Sequence, residues 1–471
     1  MGRIRTDLCI IGAGSGGLAL AAGAVQMGAR VVLVEGHKMG GDCLNYGCVP
    51  SKALLAAGAR AQAVREGGFG VTPSEPDVDY GAAKDHVAAV IGRIAPHDSQ
   101  DRFEALGVHV IRARGAFLSE TELQAGDDVI EARRFVVATG SSPLVPPIPG
   151  LDDVPFLTNE TLWDLRERPD HLLVIGGGPI GMEMAQAHRR LGSRVTVIEG
   201  DRALNRDDPE AASVLLGRLR AEGVAIIEGQ QAARVAGKAG AIDLETADGT
   251  VHSGSHLLVA VGRRPNLDGL NLSAAGVETT RAGISVDPRL RSSNRRVYAI
   301  GDVAGGMQFT HVAAYHAGIV IRSALLGLPA KARTDHVPRV TYCAPELAQV
   351  GLTEADAHDV HAARLKVVRF DFDGNDRALA TGQGEGFVKV MVVRGRPVGA
   401  TIVGAEAGEL IGLWALALSR RLKMSAIAGM VAPYPTLSEV NKRAAGAYFS
   451  HRLFDSPLVK RAVRFVQKVL P

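Results

Sequence analysis

Leu8-Cys9-Ile10-Ile11-Gly12-Ala13-Gly14-Ser15-Gly16-Gly17, continued by Val31-Val32-Leu33-Val34-Glu35, decides the fold. A short apolar strand runs into a glycine loop, a small-residue helix follows, and a second strand ends on an acid. The pattern is G-x-G-x-x-G with a carboxylate beyond the second strand. Glycines in such a loop let the backbone turn and approach a pyrophosphate at the helix N-terminus, while the acid reaches the ribose hydroxyls. One loop of this kind is a weak signal. This chain repeats it. Leu172 to Ile175 predicts a strand, Gly176-Gly177-Gly178-Pro179-Ile180-Gly181 the loop, and Val195 to Ile198 the second strand, closed by Glu199. Gly12 matches Gly176, Gly17 matches Gly181, Gly28 matches Gly192, Arg30 matches Arg194 and Glu35 matches Glu199, all at one constant offset. Two nucleotide sites follow, although spacing alone leaves open which loop holds which nucleotide.

Just downstream of the first loop lies Gly40-Gly41-Asp42-Cys43-Leu44-Asn45-Tyr46-Gly47-Cys48-Val49-Pro50-Ser51-Lys52. Two thiols this close, beside a nucleotide loop, predict a redox pair. In a disulfide shuttle one accessible sulfur attacks the substrate and a second resolves the mixed disulfide. A flavin dinucleotide and a nicotinamide dinucleotide in series suit a hydride relay to such a pair. Glu199 favours NAD over NADP, because a carboxylate bonds a free 2′-hydroxyl and repels a 2′-phosphate. Arg202 and Arg206 stand nearby as the counter-argument.

The rest of the composition narrows the class. A length of 471 residues suits about three domains, and 46% hydrophobic content supplies their cores. The net charge of +3 is spread along the chain without a basic block, which points to small-molecule partners and away from nucleic acid. Four cysteines are too few for a disulfide scaffold; Cys9 and Cys343 read as buried thiols. The uncharged stretch from Cys9 to Ala29 is broken by glycines and reads as strand, loop and helix instead of a membrane span. No targeting segment is apparent, so a cytoplasmic location is expected.

At this point the chain resembles the class I pyridine nucleotide–disulfide oxidoreductases, the family of dihydrolipoamide dehydrogenase, glutathione reductase and mercuric reductase. The resemblance rests on the Cys43–Lys52 motif, Ala138-Thr139-Gly140, Val261-Gly262-Arg263-Arg264-Pro265-Asn266, Tyr298-Ala299-Ile300-Gly301-Asp302 and Tyr434-Pro435-Thr436-Leu437-Ser438-Glu439. It implies an α/β protein with two Rossmann-like dinucleotide-binding domains and a C-terminal α+β dimerisation domain, assembled as a homodimer. Residues 1–148 and 267–333 would bind FAD, 149–266 NAD, and 334–471 the second subunit. FAD contacts are implied for Gly12, Gly14, Ser15, Gly16, Gly17, Glu35, Gly41, Asp42, Lys52, Thr139, Gly140, Gly301 and Asp302, the last on the ribityl chain. NAD contacts are implied for Gly176, Gly178, Gly181, Glu199 and Gly262. Cys48 would be the flavin-side sulfur and Cys43 the substrate-side one, with Lys52 and Glu183 as an ion pair near the flavin.

The resemblance breaks at one position. Family members that reduce disulfides carry a histidine where this chain has Tyr434, oriented by a glutamate matching Glu439. Histidine exchanges protons near neutral pH and a phenol barely does, and a lost acid–base group typically costs ~10²–10⁴-fold. No motif assigns His311, His316 or His451 to the role. Mercuric reductases carry tyrosine here, and Arg377-Ala378-Leu379-Ala380 also resembles that branch. They also end in a vicinal cysteine pair, whereas the last cysteine here is Cys343. The expectation is therefore an NADH-dependent, dihydrolipoamide dehydrogenase-like enzyme acting on a disulfide or related acceptor, with soft-metal reduction as the alternative. A third reading is an electron-transfer flavoprotein docking at a membrane or protein partner. It draws on the tail from Ser456 to Pro471, which predicts a basic amphipathic helix, although packing against the protein's own interface is the expected fate of its apolar side.

Overall fold

The computed structural model describes residues 2–470, the side chains of His451 and Arg452 excepted. Its contacts divide the chain into two units, one running to Gly200 and resuming over Val224–Arg333, the other comprising Asp201–Gly223 and the residues from Thr334 onward.

The first unit carries two sheets with parallel strands at the glycine loops, one for each loop; the first also has an antiparallel edge, Gly115–Ser119 and Glu122–Ala125. In the first sheet, Arg3–Ile11 is central. It pairs in parallel with Val31–Val34 on one side and Asp128–Val137 on the other. His109–Ile111 extends it beyond Val31–Val34, and Val297–Ala299 joins Asp128–Val137, also in parallel. Val31–Val34 is buried at all four positions, the continuous apolar run expected of a parallel strand covered on both faces. The second sheet runs Val224–Glu228, Arg194–Glu199, His171–Ile175 and His256–Val259, all parallel. Each glycine loop sits at the carboxyl end of its first strand, where open parallel sheets bind ligands. The predicted α/β class with two Rossmann-like units is therefore present.

The second unit carries an antiparallel sheet of five strands, Pro338–Thr341, Glu346–Gly351, Arg396–Gly404, Phe387–Val393 and Leu365–Asp371 in spatial order. Its core centres on Trp414, fully buried, whose indole N–H donates to Asn441 Oδ1 at 2.7 Å while the Asn441 amide donates to the Leu410 carbonyl at 3.0 Å. These bonds satisfy polar atoms that burial would otherwise penalise. Lys389, also buried, lies 3.1 Å from Asp208, 2.8 Å from Glu210 and 2.7 Å from Glu354. Three carboxylates around one ammonium tie the start of the helix Pro209–Ala221 to this sheet, and they hold the lysine strongly protonated despite its burial. Among the described residues no helix is long and apolar enough to cross a membrane.

Candidate active site

The two glycine loops have the same geometry, and it tests whether they fit a dinucleotide. Gly12 and Gly176 adopt φ of +111° and +112°, a region that penalises any side chain. A Cβ on Gly17 would lie 1.9 Å from the Gly12 carbonyl oxygen, and one on Gly181 would lie 2.0 Å from that of Gly176, so the helix packs directly on its loop. The middle glycines differ. A Cβ on Gly14 would meet nothing closer than 3.9 Å and one on Gly178 nothing within 4 Å. The outer glycines thus serve the fold, whereas the middle ones leave room for a pyrophosphate at each helix N-terminus. Glu35 accepts from the Ala13 N–H and Glu199 from the Gly177 N–H, both at 2.6 Å, which places each carboxylate at the mouth of its loop. The residues fit two dinucleotides.

The redox segment rests on the first loop. Gly40 N–H donates to the Ala13 carbonyl at 2.9 Å, and a Cβ on Gly41 would sit 2.7 Å from Gly14 Cα. A short helix, Gly41–Asn45, carries Cys43, and the helix Cys48–Glu66 begins at the second cysteine. Both sulfurs are free thiols, Cys43 half-buried and Cys48 exposed. A hydrogen bond from the Cys43 thiol, followed by Thr310 and the Lys52 charge, pulls the Cys48 pKa down to about 6 against partial desolvation by the surrounding protein. The same shared proton, together with burial, pushes Cys43 far up. The shared proton thus favours thiolate at Cys48 and thiol at Cys43, the asymmetry that a thiolate-driven shuttle requires.

Lys52 lies one turn after Cys48 on the same helix. Its ammonium donates to Glu183 Oε2 at 2.8 Å. Glu183 is buried, on the helix Pro179–Arg190 that opens from the second glycine loop. Close approach of these two helices depends on Gly58, where a Cβ would come within 3.2 Å of the Ala187 carbonyl. One ion pair thereby joins the helix that begins at Cys48 to the helix that opens from the second loop. Thr139 and Asn266 exchange hydrogen bonds at 2.8 and 2.9 Å, and Gly140 and Gly262 each leave open space where a Cβ would stand.

Several partners gave no signal in the sequence. Thr310 shares a 3.2 Å hydrogen bond with Cys48 across a long stretch of chain. His316 is buried and accepts from the Gly301 N–H at 3.2 Å, and burial lowers its pKa, so it is a packing group. His311 is exposed and stacks on Phe309; the side chain of His451 lies outside the described residues. The redox segment is also held by Trp163, whose indole donates to the Tyr46 carbonyl at 2.9 Å, and by Asn159, which donates to Asp42 at 3.2 Å.

Asp42 belongs to a polar chain. Arg263 pairs with Asp42 at 3.0 Å and donates to the Ser141 hydroxyl at 2.7 Å; Ser141 donates in turn to Asp302 at 2.5 Å. Burial raises the Asp302 pKa, and Ser141 and Arg263 oppose that rise. The Asp42 carboxylate disfavours thiolate at both cysteines. Asp42→Thr is expected to move thiolate formation at Cys48 below about pH 6, by up to ~1 unit. The midpoint of the thiolate-to-flavin absorbance of the reduced protein reads this directly, and an unmoved or raised midpoint removes Asp42 from the account.

Tyr434 and Glu439 belong to the second unit, whereas the sulfur pair belongs to the first. The Tyr434 hydroxyl is exposed and donates to Asp376 Oδ2 at 2.8 Å. That bond, and the Asp376 charge behind it, raises the phenol pKa further. Glu439 opens the helix Glu439–Phe454.

Comparisons with known proteins give the family. The pyridine nucleotide-disulphide oxidoreductase family model matches residues 6–317, and the model of that family's dimerisation domain matches 337–445. The chain is 36% identical over 457 residues to a mercuric reductase of Streptomyces lividans, covering 94% of this chain and 96% of the relative. It is 33% identical over 449 residues to a dihydrolipoyl dehydrogenase of Bacillus subtilis, covering 92% and 96%. Among solved structures, LpdA from Mycobacterium tuberculosis superposes with a TM-score of 0.87 at 28% identity over 95% of this chain and 99% of that one. The Cu(II) complex of the HOCl-induced flavoprotein disulfide reductase RclA from Escherichia coli gives 0.85 at 27% over 94% and 99%. With two dinucleotide loops, a dithiol between them and the family's dimerisation domain behind them, the chain belongs to the class I pyridine nucleotide-disulphide oxidoreductases, enzymes that use FAD and a pyridine nucleotide.

Proposed function

We propose that this protein is a homodimeric, NADH-dependent flavoprotein reductase that delivers two electrons to a thiophilic acceptor at Cys43 and Cys48. We propose further that the acceptor is a soft metal ion in preference to an organic disulfide. Bound FAD would supply a relay for an electron pair from reduced nicotinamide to the Cys43–Cys48 disulfide. The chain's own groups prepare the receiving end. Lys52, held by Glu183, stands as a fixed positive charge one turn from Cys48. It favours the thiolate there, while Cys43 retains the proton.

The single observation that carries the choice of acceptor is the state of Tyr434. Reducing an organic disulfide consumes two electrons and two protons, so it requires a group that exchanges protons near neutral pH. Reducing Hg(II) to the element consumes two electrons and no protons at the acceptor. Tyr434 stands where the disulfide-reducing members of the family carry histidine, and its hydroxyl is committed to Asp376 with its pKa pushed up. Soft cations prefer thiolate ligands. Cys9 and Cys343 are buried, which leaves the redox pair as the sulfur that meets an acceptor. The mercuric reductases among the relatives support the same reading. Glu199, at the mouth of the second loop, supports NADH over NADPH by charge.

A panel of acceptors assayed with NADH and with NADPH tests the proposal. Hg(II) buffered by a small thiol is expected to drive NADH oxidation, with lipoamide and glutathione disulfide ~10²-fold slower or worse. Tyr434→His is expected to raise disulfide turnover while leaving the metal reaction close to its original rate. Disulfide turnover by the unaltered protein that equals the metal rate overturns the preference for a metal. Equal use of NADPH overturns the assignment of Glu199.

A further inference from the structure

The family's dimerisation domain is matched to residue 445. Beyond it lies the helix Pro457–Val469, capped by Ser456, whose hydroxyl accepts from the Val459 N–H at 3.4 Å. At the helical rotation of about 100° per residue, Leu458, Val459, Ala462, Val463, Phe465, Val466, Val469 and Leu470 occupy one continuous arc of about 160°. Lys460, Arg461, Arg464, Gln467 and Lys468 occupy the opposite arc of about 120° with no apolar residue among them. No residue of this helix is buried. Leu458 is 73% exposed, Phe465 67% and Val469 62%. Within this chain the apolar arc is therefore left uncovered.

We infer that this helix is a binding site for an anionic phospholipid surface, with its apolar arc in the acyl boundary and its cations on the headgroup phosphates. The inference is independent of the acceptor and of the proposed reaction. Charge selects the occupant. The segment from Ser456 to Pro471 holds four cations and no acid, more positive charge than the +3 of the whole chain. A second copy of the helix docked on the apolar arc would supply no carboxylate to pair with the four cations on the opposite arc. A membrane bearing phosphatidylglycerol or phosphatidylserine offers negative charge and an apolar interior together. Arg461 borders the apolar arc on one side, and Lys460 lies just past Gln467 on the other, where long stems reach phosphates while their methylenes stay against hydrocarbon. The helix is about 20 Å long, too short to cross a hydrocarbon core of about 30 Å, so it lies in the interface.

The test is co-sedimentation of the full-length, flavin-loaded protein with vesicles of phosphatidylcholine alone and of phosphatidylcholine mixed with phosphatidylglycerol. Binding to the mixed vesicles is expected to exceed that to phosphatidylcholine by ~10²-fold or more, and to weaken as salt rises. Phe465→Glu and the pair Arg461→Glu with Arg464→Glu are each expected to abolish it. Flavin content, dimer mass and NADH oxidation should stay unchanged. Equal pelleting with both vesicle types, or none with either, overturns the inference. So does a Phe465→Glu protein that falls to monomers, because the arc would then be a subunit interface.

Discussion

Cys43→Ser should leave the protein folded, flavin-loaded and reducible by NADH, yet lower acceptor turnover by about 10³-fold or more. Serine nearly preserves the volume of the half-buried Cys43 and can still donate a hydrogen bond to Cys48, so the thiolate at Cys48 survives. What serine cannot do is form or re-form a sulfur–sulfur bond, or serve as the second soft ligand to a metal. The variant therefore separates electron entry from electron exit. Rapid mixing with NADH should bleach the flavin at an unaltered rate. Subsequent mixing with the acceptor should fail to restore it. The thiolate-to-flavin absorbance should persist at neutral pH and fade as the pH falls through about 6, since protonation removes the negative charge that gives rise to it. A variant that still turns over the acceptor at the original rate would place the electron path outside the sulfur pair.

Gly178→Ala and Gly181→Ala, three residues apart, should fail in opposite ways. Gly178 has φ −78° and ψ 179°, which alanine adopts without strain, and its added Cβ meets nothing within 4 Å. Stability should be unchanged. The methyl group nevertheless occupies the space reserved for the pyrophosphate and removes the close backbone approach that holds it. Loss of one charged hydrogen bond costs about 1.5–3 kcal/mol, so NADH affinity should fall ~10–100-fold. Gly181→Ala instead drives a Cβ to 2.0 Å from the Gly176 carbonyl oxygen, a backbone atom that cannot step aside. Overpacking of this kind costs typically ~1–3 kcal/mol or more, and the melting temperature should drop along with NADH binding. Thermal unfolding together with an NADH titration distinguishes the two. Undiminished NADH binding by Gly178→Ala would mean that the second loop does not cradle a pyrophosphate.

Much of the site could be read along the chain because its parts are local. The first loop, its acid and the Cys43–Lys52 run lie within a few dozen residues, and each requirement is met by residues a few positions apart. The Lys52 ammonium and the Glu183 carboxylate come from helices far apart in the chain, and resemblance, not spacing, paired them. Thr310 had no signal at all. It meets Cys48 because the helix Thr310–Val320 packs beside the first loop, where a Cβ on Gly16 would stand 3.1 Å from that of Ala313. The chain from Asp42 through Arg263 and Ser141 to Asp302 draws on four distant segments. Asp42, Arg263 and Asp302 stand in motifs, but Ser141, which links the last two, gave no signal. Tyr434 was legible as a departure, whereas its partner Asp376 was not.

Sequence alone determined the class of the fold and the presence of two nucleotide loops with a sulfur pair, because glycine, acid and cysteine at fixed short spacings answer to backbone geometry within a single strand–loop–helix unit. Tertiary structure decided which groups surround those sulfurs, what holds the Tyr434 hydroxyl, and that the apolar arc after Ser456 is left uncovered by its own chain. Those facts depend on which distant surfaces pack together, and packing is settled by the whole set of burials at once and not by any local run of residues.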